Sequence, residues 1–147
     1  MVSAPLAGRA AGLVLVVLLV LLVGDRGGWG RGPGDIVAQA APWVAPPSEK
    51  AKKNPLPNDK KVVEQGDKLA KVNCVSCHGP KGKGNGPAAV ALNPKPADWT
   101  SKRVQDMPDG EIFWKITTGR GPMPSWRHLP ENDRWAVVRY IRTLAGK

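Results

Sequence analysis

Apolar positions are spaced differently along the chain, and the spacing fixes what each stretch can form. Leu13 to Val23 is an unbroken Leu/Val run, preceded by Arg9 and by no acidic residue. Ala41 to Asp59 has five prolines and no apolar periodicity, which predicts an extended tether with a domain boundary near Asp59. Beyond it, Asp59 caps a predicted helix whose apolar positions Val62, Val63, Leu69 and Ala70 lead up to Cys74, with Gly66 inside it. Gly79 to Pro87 reads as a loop, Ala88 to Leu92 as one helical turn, and Asn93 to Ala97 as a second loop. Asp109-Gly110 opens a helix over Glu111 to Thr118, ended by Gly119. Pro130 to Asp133 opens a last helix, Arg134 to Ala145, with Trp135, Val138, Ile141 and Leu144 on one face and Arg139 and Arg142 near its C-terminal end. No run alternates as a strand would, so the fold class is all-α, small and rich in long loops.

The amino-terminal run has the charged and apolar regions of an export signal. A membrane-spanning helix needs roughly 20 apolar residues, and residues 10–24 are fewer. A cleaved signal over residues 1–40, ending at Ala38-Gln39-Ala40, and an uncleaved short anchor are the two readings, both placing the protein outside the cytoplasm. This gives three parts: signal or anchor over 1–40, Pro-rich linker over 41–59, folded domain over 60–147.

Composition narrows the chemistry. The 147 residues hold 6 Trp but only 1 Tyr, 1 Phe and 2 Cys, too few cysteines for a multi-bridge scaffold. The formal charge is +10, spread along the chain without a basic block, which argues against a nucleic-acid partner. A domain as small as 60–147 is marginal on its own core, and a cofactor often completes one of this size.

Cys74-Val75-Ser76-Cys77-His78 is a C-x-x-C-H string, which in an exported protein is the attachment signature of c-type haem. Two thiols on one helical turn can each add to a porphyrin vinyl group, and the adjacent imidazole then lies beneath the iron. Three other chemistries can use parts of this string: a redox dithiol, which needs a βαβ context the pattern lacks; a zinc site from Cys74, Cys77, His78 and His128; and a plain disulfide.

Carrying these motifs, residues 60–147 resemble the class I c-type cytochromes, small all-α single-haem electron carriers. The resemblance implies a cytochrome c-like fold with long loops around one covalent haem c. Cys74 and Cys77 would be its thioether anchors and His78 its proximal iron ligand. In that family a Gly eight residues before the first Cys lies where the first and last helices cross, against an aromatic; here these are Gly66 and Tyr140. Ala70 departs from the family, which usually has an aromatic there.

The resemblance also implies a Met-bearing loop, and Met123 in Gly119-Arg120-Gly121-Pro122-Met123-Pro124 matches it as the distal ligand. Met107, which leads into a helix, and His128 are the other candidates. A thioether ligand raises the iron potential relative to His. In resembling cytochromes a Pro after the motif accepts the second N–H of the ligating imidazole, a role that falls to Pro87. Trp99, Trp114 and Trp126 are candidate pocket aromatics, with Arg103, Arg120 and Arg127 as propionate partners; each Trp can equally be packing alone.

The function implied is outer-sphere electron transfer in a periplasmic or membrane-associated chain, with no catalytic residue and no small-molecule substrate. Lys81, Lys83, Lys95, Lys102, Arg103, Arg120 and Arg127 lie in loops near the motif or the Met loop, so redox partners with acidic docking faces are expected. The alternative is a membrane-anchored haem c subunit of a larger respiratory or oxidoreductase complex. A haem enzyme or gas sensor would require an open iron position, which ligation by both His78 and Met123 denies.

Overall fold

The computed structural model describes Pro42–Lys147. The signal or anchor expected over residues 1–40 lies outside the described residues. Among the described residues no helix is long and apolar enough to cross a membrane. They contain no strand, only an isolated bridge between Arg120 and Met123. The helices are α1 (Pro47–Lys50), α2 (Lys60–Asn73), α3 (Val75–His78), α4 (Lys102–Gln105), α5 (Asp109–Thr118) and α6 (Glu131–Arg142), with a 3-10 turn over Pro87–Ala91.

The expected ends of α2 hold. Asp59 Oδ1 accepts the Val62 N–H at 2.9 Å, and the Cys74 N–H closes the last turn on the Ala70 carbonyl at 2.8 Å. Helix α5 begins at Asp109, two residues before the predicted start, and ends at Gly119, whose φ of 62° lies in the left-handed region. Helix α6 begins three residues earlier than predicted, directly after Pro130, and Ala145 falls in the turn beyond its end. Pro108 and Pro130 stand just outside their helices, where a missing N–H costs nothing.

Helices α2 and α6 make the principal packing contact. They cross at Gly66: a methyl there would stand 2.1 Å from the Ala136 carbonyl oxygen and 2.9 Å from Tyr140 Cβ. The crossing inferred from the family resemblance is therefore present, and Ala70 is buried within it. The predicted face of α6, Trp135, Val138, Ile141 and Leu144, is buried, and Trp135 stacks on Phe113 of α5 with centroids 3.9 Å apart.

The tether does not behave as its composition predicts. From Trp43 onward the chain forms one compact unit with the domain. Pro47 starts the short helix α1, which lies against Gly110 of α5; a Cβ on Gly110 would meet the Glu49 carbonyl oxygen at 2.0 Å. The Asn54 side-chain amide donates to the Trp135 carbonyl at 3.0 Å, and Arg139 donates to the Leu56 carbonyl from Nη2 at 2.6 Å. Lys50 pairs with Glu111 at 3.4 Å, and Ala45 is buried. The boundary set at Asp59 thus moves to about Trp43. Proline removed periodicity from this strap, but Arg139 and the Trp135 carbonyl of α6 supply its hydrogen bonds and Glu111 of α5 an ion pair, relations that local sequence does not carry.

Candidate haem-attachment site

The C-x-x-C-H string is split between two elements. Cys74 breaks the helical path at φ −122°, and the next turn, α3, carries Cys77 and His78. The Cys74 carbonyl accepts the N–H groups of Cys77 (3.1 Å) and His78 (2.9 Å), so both thiols and the imidazole sit on one hydrogen-bonded turn. Both thiols are free and half-buried. Burial, followed by the neighbouring Cys77 charge, pushes the Cys74 thiol up to about 11.

The glycine-rich loop folds back over this turn. The Gly84 N–H donates to the His78 carbonyl at 2.8 Å, and the Gly86 N–H to that of Cys77 at 3.0 Å. Gly84 has φ 72°, and a Cβ on it would lie 2.4 Å from the Pro96 carbonyl oxygen. Only glycine lets the loop bridge residue 78 and residues 96–97 so closely.

That approach determines what holds His78. The imidazole is buried, and its Nδ1 lies 3.0 Å from the Ala97 carbonyl oxygen. Desolvation lowers its pKa, against the opposing pull of that hydrogen bond. Pro87 does not have the expected role: it is exposed at the start of the 3-10 turn, and the backbone brought to the ring is that of Ala97. A backbone acceptor has no residue signature, so Ala97 was invisible in the sequence. Trp99, two residues on, stacks on the imidazole with centroids 4.3 Å apart and ring planes 23° apart.

Met123 is half-buried at the margin of the apolar cluster that Cys74, Met107 and Trp126 also border. Its backbone exchanges hydrogen bonds with Arg120, at 2.9 and 3.1 Å, and this closes the Met loop into a tight turn. Met107 borders the same cluster, but Lys115 Nζ lies 3.4 Å from its Sδ and its carbonyl accepts from Arg142. His128 is exposed against Trp126, with centroids 5.5 Å apart. Among the described residues no group of three or more His, Cys, Asp or Glu side chains is placed to hold a metal ion, so the four-ligand zinc reading is not assembled.

The other expected pocket residues divide. Trp126 packs on the core, whereas Trp114 faces Trp43 of the strap, with centroids 6.4 Å apart. The loop cations Lys81, Lys83, Lys95, Lys102, Arg103 and Arg127 are all exposed. Lys95 is drawn onto the Ala89 and Val90 carbonyls, Lys83 onto Thr100 and the Lys147 carbonyl, and Lys102 onto Asp106. Arg139 and Arg142, near the C-terminal end of α6, are structural anchors; Arg142 binds Asp109 at 2.7 Å and the Gln105 carbonyl at 2.7 Å.

The donor set suits haem c. Two unpaired thiols share a turn with an imidazole whose Nδ1 is engaged, which leaves Nε2 for iron, beside an apolar cluster able to exclude water. A family model described as "Cytochrome C oxidase, cbb3-type, subunit III" matches residues 61–141. Among solved structures the chain is similar to the Kuenenia stuttgartiensis reducing HAO-like protein complex Kustc0457/Kustc0458. The identity is 29% and the TM-score 0.56, over 62% of this chain and 47% of that one, so the chain spans about half the length of that relative. No curated protein matches. The chain belongs to the family described as cytochrome c oxidase, cbb3-type, subunit III, and residues 61–141 are its c-type cytochrome domain, an electron-transfer module built on covalent haem c.

Proposed function

We propose that the protein is an exported carrier of single electrons with one haem c, bound through Cys74 and Cys77 and ligated by His78 and Met123. The observation that carries this reading is the engagement of His78 Nδ1 by the Ala97 carbonyl on the turn that bears both thiols. That hydrogen bond keeps the ring proton on Nδ1 and the Nε2 lone pair free to bind iron. Bound there, haem c supplies a one-electron couple between ferrous and ferric iron, raised in potential by a thioether ligand. The chain's own part is to hold, orient and dehydrate the group. Met123 lies in a closed turn at the margin of the apolar cluster, while the sulfur of Met107 is engaged by Lys115. With His78 and Met123 both committed, no position remains for a substrate, and the protein makes or breaks no substrate bond. Its partners are redox proteins with acidic docking faces, met through the loop cations.

The test is an absorption spectrum of protein matured in a host with haem c machinery. A pyridine haemochrome assay should give a thioether-linked haem at one per chain. The oxidised form should show a far-red sulfur-to-iron band that Met123→Ala abolishes. Absence of that band in the unmutated protein would remove Met123 as ligand, and absence of covalent haem would remove the reading altogether.

A second reading makes this domain a relay inside a membrane-bound complex, with residues 10–24 kept as an anchor. The family's description as an oxidase subunit favours it, as does a structural relative that is itself a complex. Amino-terminal sequencing of the mature protein and salt washing of membranes separate the two: a chain starting near Ala41 and released by salt supports the soluble carrier.

A further inference from the structure

His78 is held by two residues of one short segment, and only one of them is a hydrogen-bond partner. The Ala97 carbonyl lies 3.0 Å from Nδ1 and sets the direction of that N–H. A single hydrogen bond leaves the ring free to tilt about the donor–acceptor line. The Trp99 indole removes this freedom by lying face to face with the imidazole, 4.3 Å between centroids and 23° between planes.

Trp99 is itself tied down through its main chain. Its backbone N–H donates to the Gly82 carbonyl at 2.7 Å, and its carbonyl accepts from Gln105 Nε2 at 2.6 Å. The same Gln105 amide donates to the Ile141 carbonyl of α6 at 3.0 Å. A Cβ on Gly82 would meet Trp99 Cε3 at 2.9 Å, so the glycine-rich loop packs directly on the indole. Trp99 is buried, and none of these contacts gives it a polar task.

We infer that Trp99 is a positioning residue for the iron ligand: with the Ala97 carbonyl it fixes the plane of the His78 imidazole, and Gln105 locks it to the last helix. The inference rests on the reading of His78 as the axial ligand. The ring plane of an axial imidazole sets the direction of the in-plane magnetic axes in ferric haem, so the pattern of paramagnetically shifted haem methyl resonances reports it. A residue that merely fills space would change stability and leave that pattern in place.

The experiment compares ferric holoprotein of wild type, Trp99→Leu and Trp99→Phe by proton NMR, with thermal unfolding in parallel. Trp99→Leu should redistribute the haem methyl shifts while the far-red sulfur band persists, and Trp99→Phe, which restores a flat stacking partner, should return them towards wild type. An unaltered methyl pattern in Trp99→Leu, even with a lowered Tm, overturns the inference and leaves His78 ligation standing. A wild-type protein without a His-ligated low-spin spectrum overturns both together. If Trp99→Leu does not accumulate as holoprotein, Gln105→Ala decides, since it frees the Trp99 carbonyl without touching the indole. Haem methyl shifts redistributed relative to wild type, with the far-red sulfur band retained, support the inference, and an unchanged pattern overturns it.

Discussion

Gly66 of α2 sits against the backbone of Ala136 in α6, so close that an added methyl would stand 2.1 Å from the Ala136 carbonyl oxygen. The obstacle is backbone, not the end of a flexible side chain, so relief requires the two helices to separate. Glycine inside a helix costs about 1 kcal/mol relative to alanine. Here the close packing of the principal helix pair offsets that cost.

Gly66→Ala should therefore destabilise the holoprotein despite its better helix propensity, by about 1–3 kcal/mol, the usual range for an overpacked core. Thermal unfolding of matured protein measures it. A stability equal to or above wild type would show that the helices can part without loss.

This crossing was legible in the sequence because two signals coincide: a glycine inside an amphipathic run and an aromatic on the last helix at the family's positions. The turn bearing Cys74, Cys77 and His78 was equally legible, since its spacing is local. What holds the imidazole was not. Ala97 acts through its carbonyl, and Trp99 reaches the ring only because the glycine-rich loop brings segment 96–99 to residue 78. The strap departs from what its composition predicts for a related reason. Five prolines remove helical and strand periodicity, but its anchors, Arg139 and Gly110, lie far away in the chain.

Arg139 ties the strap down by donating to the Leu56 carbonyl from both Nε (3.1 Å) and Nη2 (2.6 Å). Arg139→Ala should cost about 1.5–3 kcal/mol, as hydrogen bonds to charged groups do. It should raise amide exchange across residues 45–58 more than in α2, because the loss is local. Hydrogen–deuterium exchange of the holoprotein checks this, and exchange rising equally in both regions would mean that the strap and the helix pair open as one unit.

Met107 borders the same apolar cluster as Met123, yet its sulfur is engaged by Lys115 and its carbonyl by Arg142. Met107→Leu conserves volume and should cost less than about 1.5 kcal/mol. The far-red sulfur band of the ferric protein should keep its intensity. Loss of that band in Met107→Leu would transfer the distal ligand from the Met loop to the segment before α5.

Glu111 bears on acid stability. Its carboxylate is almost wholly covered and lies 2.8 Å from Lys115 and 3.4 Å from Lys50 of the strap. Burial pushes the carboxyl up, but the hydrogen bond and charge of Lys115, with those of Lys50, outweigh it and hold the group below the ordinary glutamate value of 4.5. A carboxylate depressed in the folded state stabilises the protein above its unfolded pKa, and that contribution disappears as pH falls through the folded value. Glu111→Gln keeps the shape and removes the charge. The variant should be less stable than wild type near neutral pH by about 1–3 kcal/mol. The gap should begin to narrow as pH falls past 4.5 and close below the depressed folded pKa. Denaturant unfolding of both holoproteins from about pH 7 to about pH 3 follows the difference. A gap that stays constant across that range would assign the loss to altered packing around Lys50 and Lys115, with no part played by the carboxylate charge.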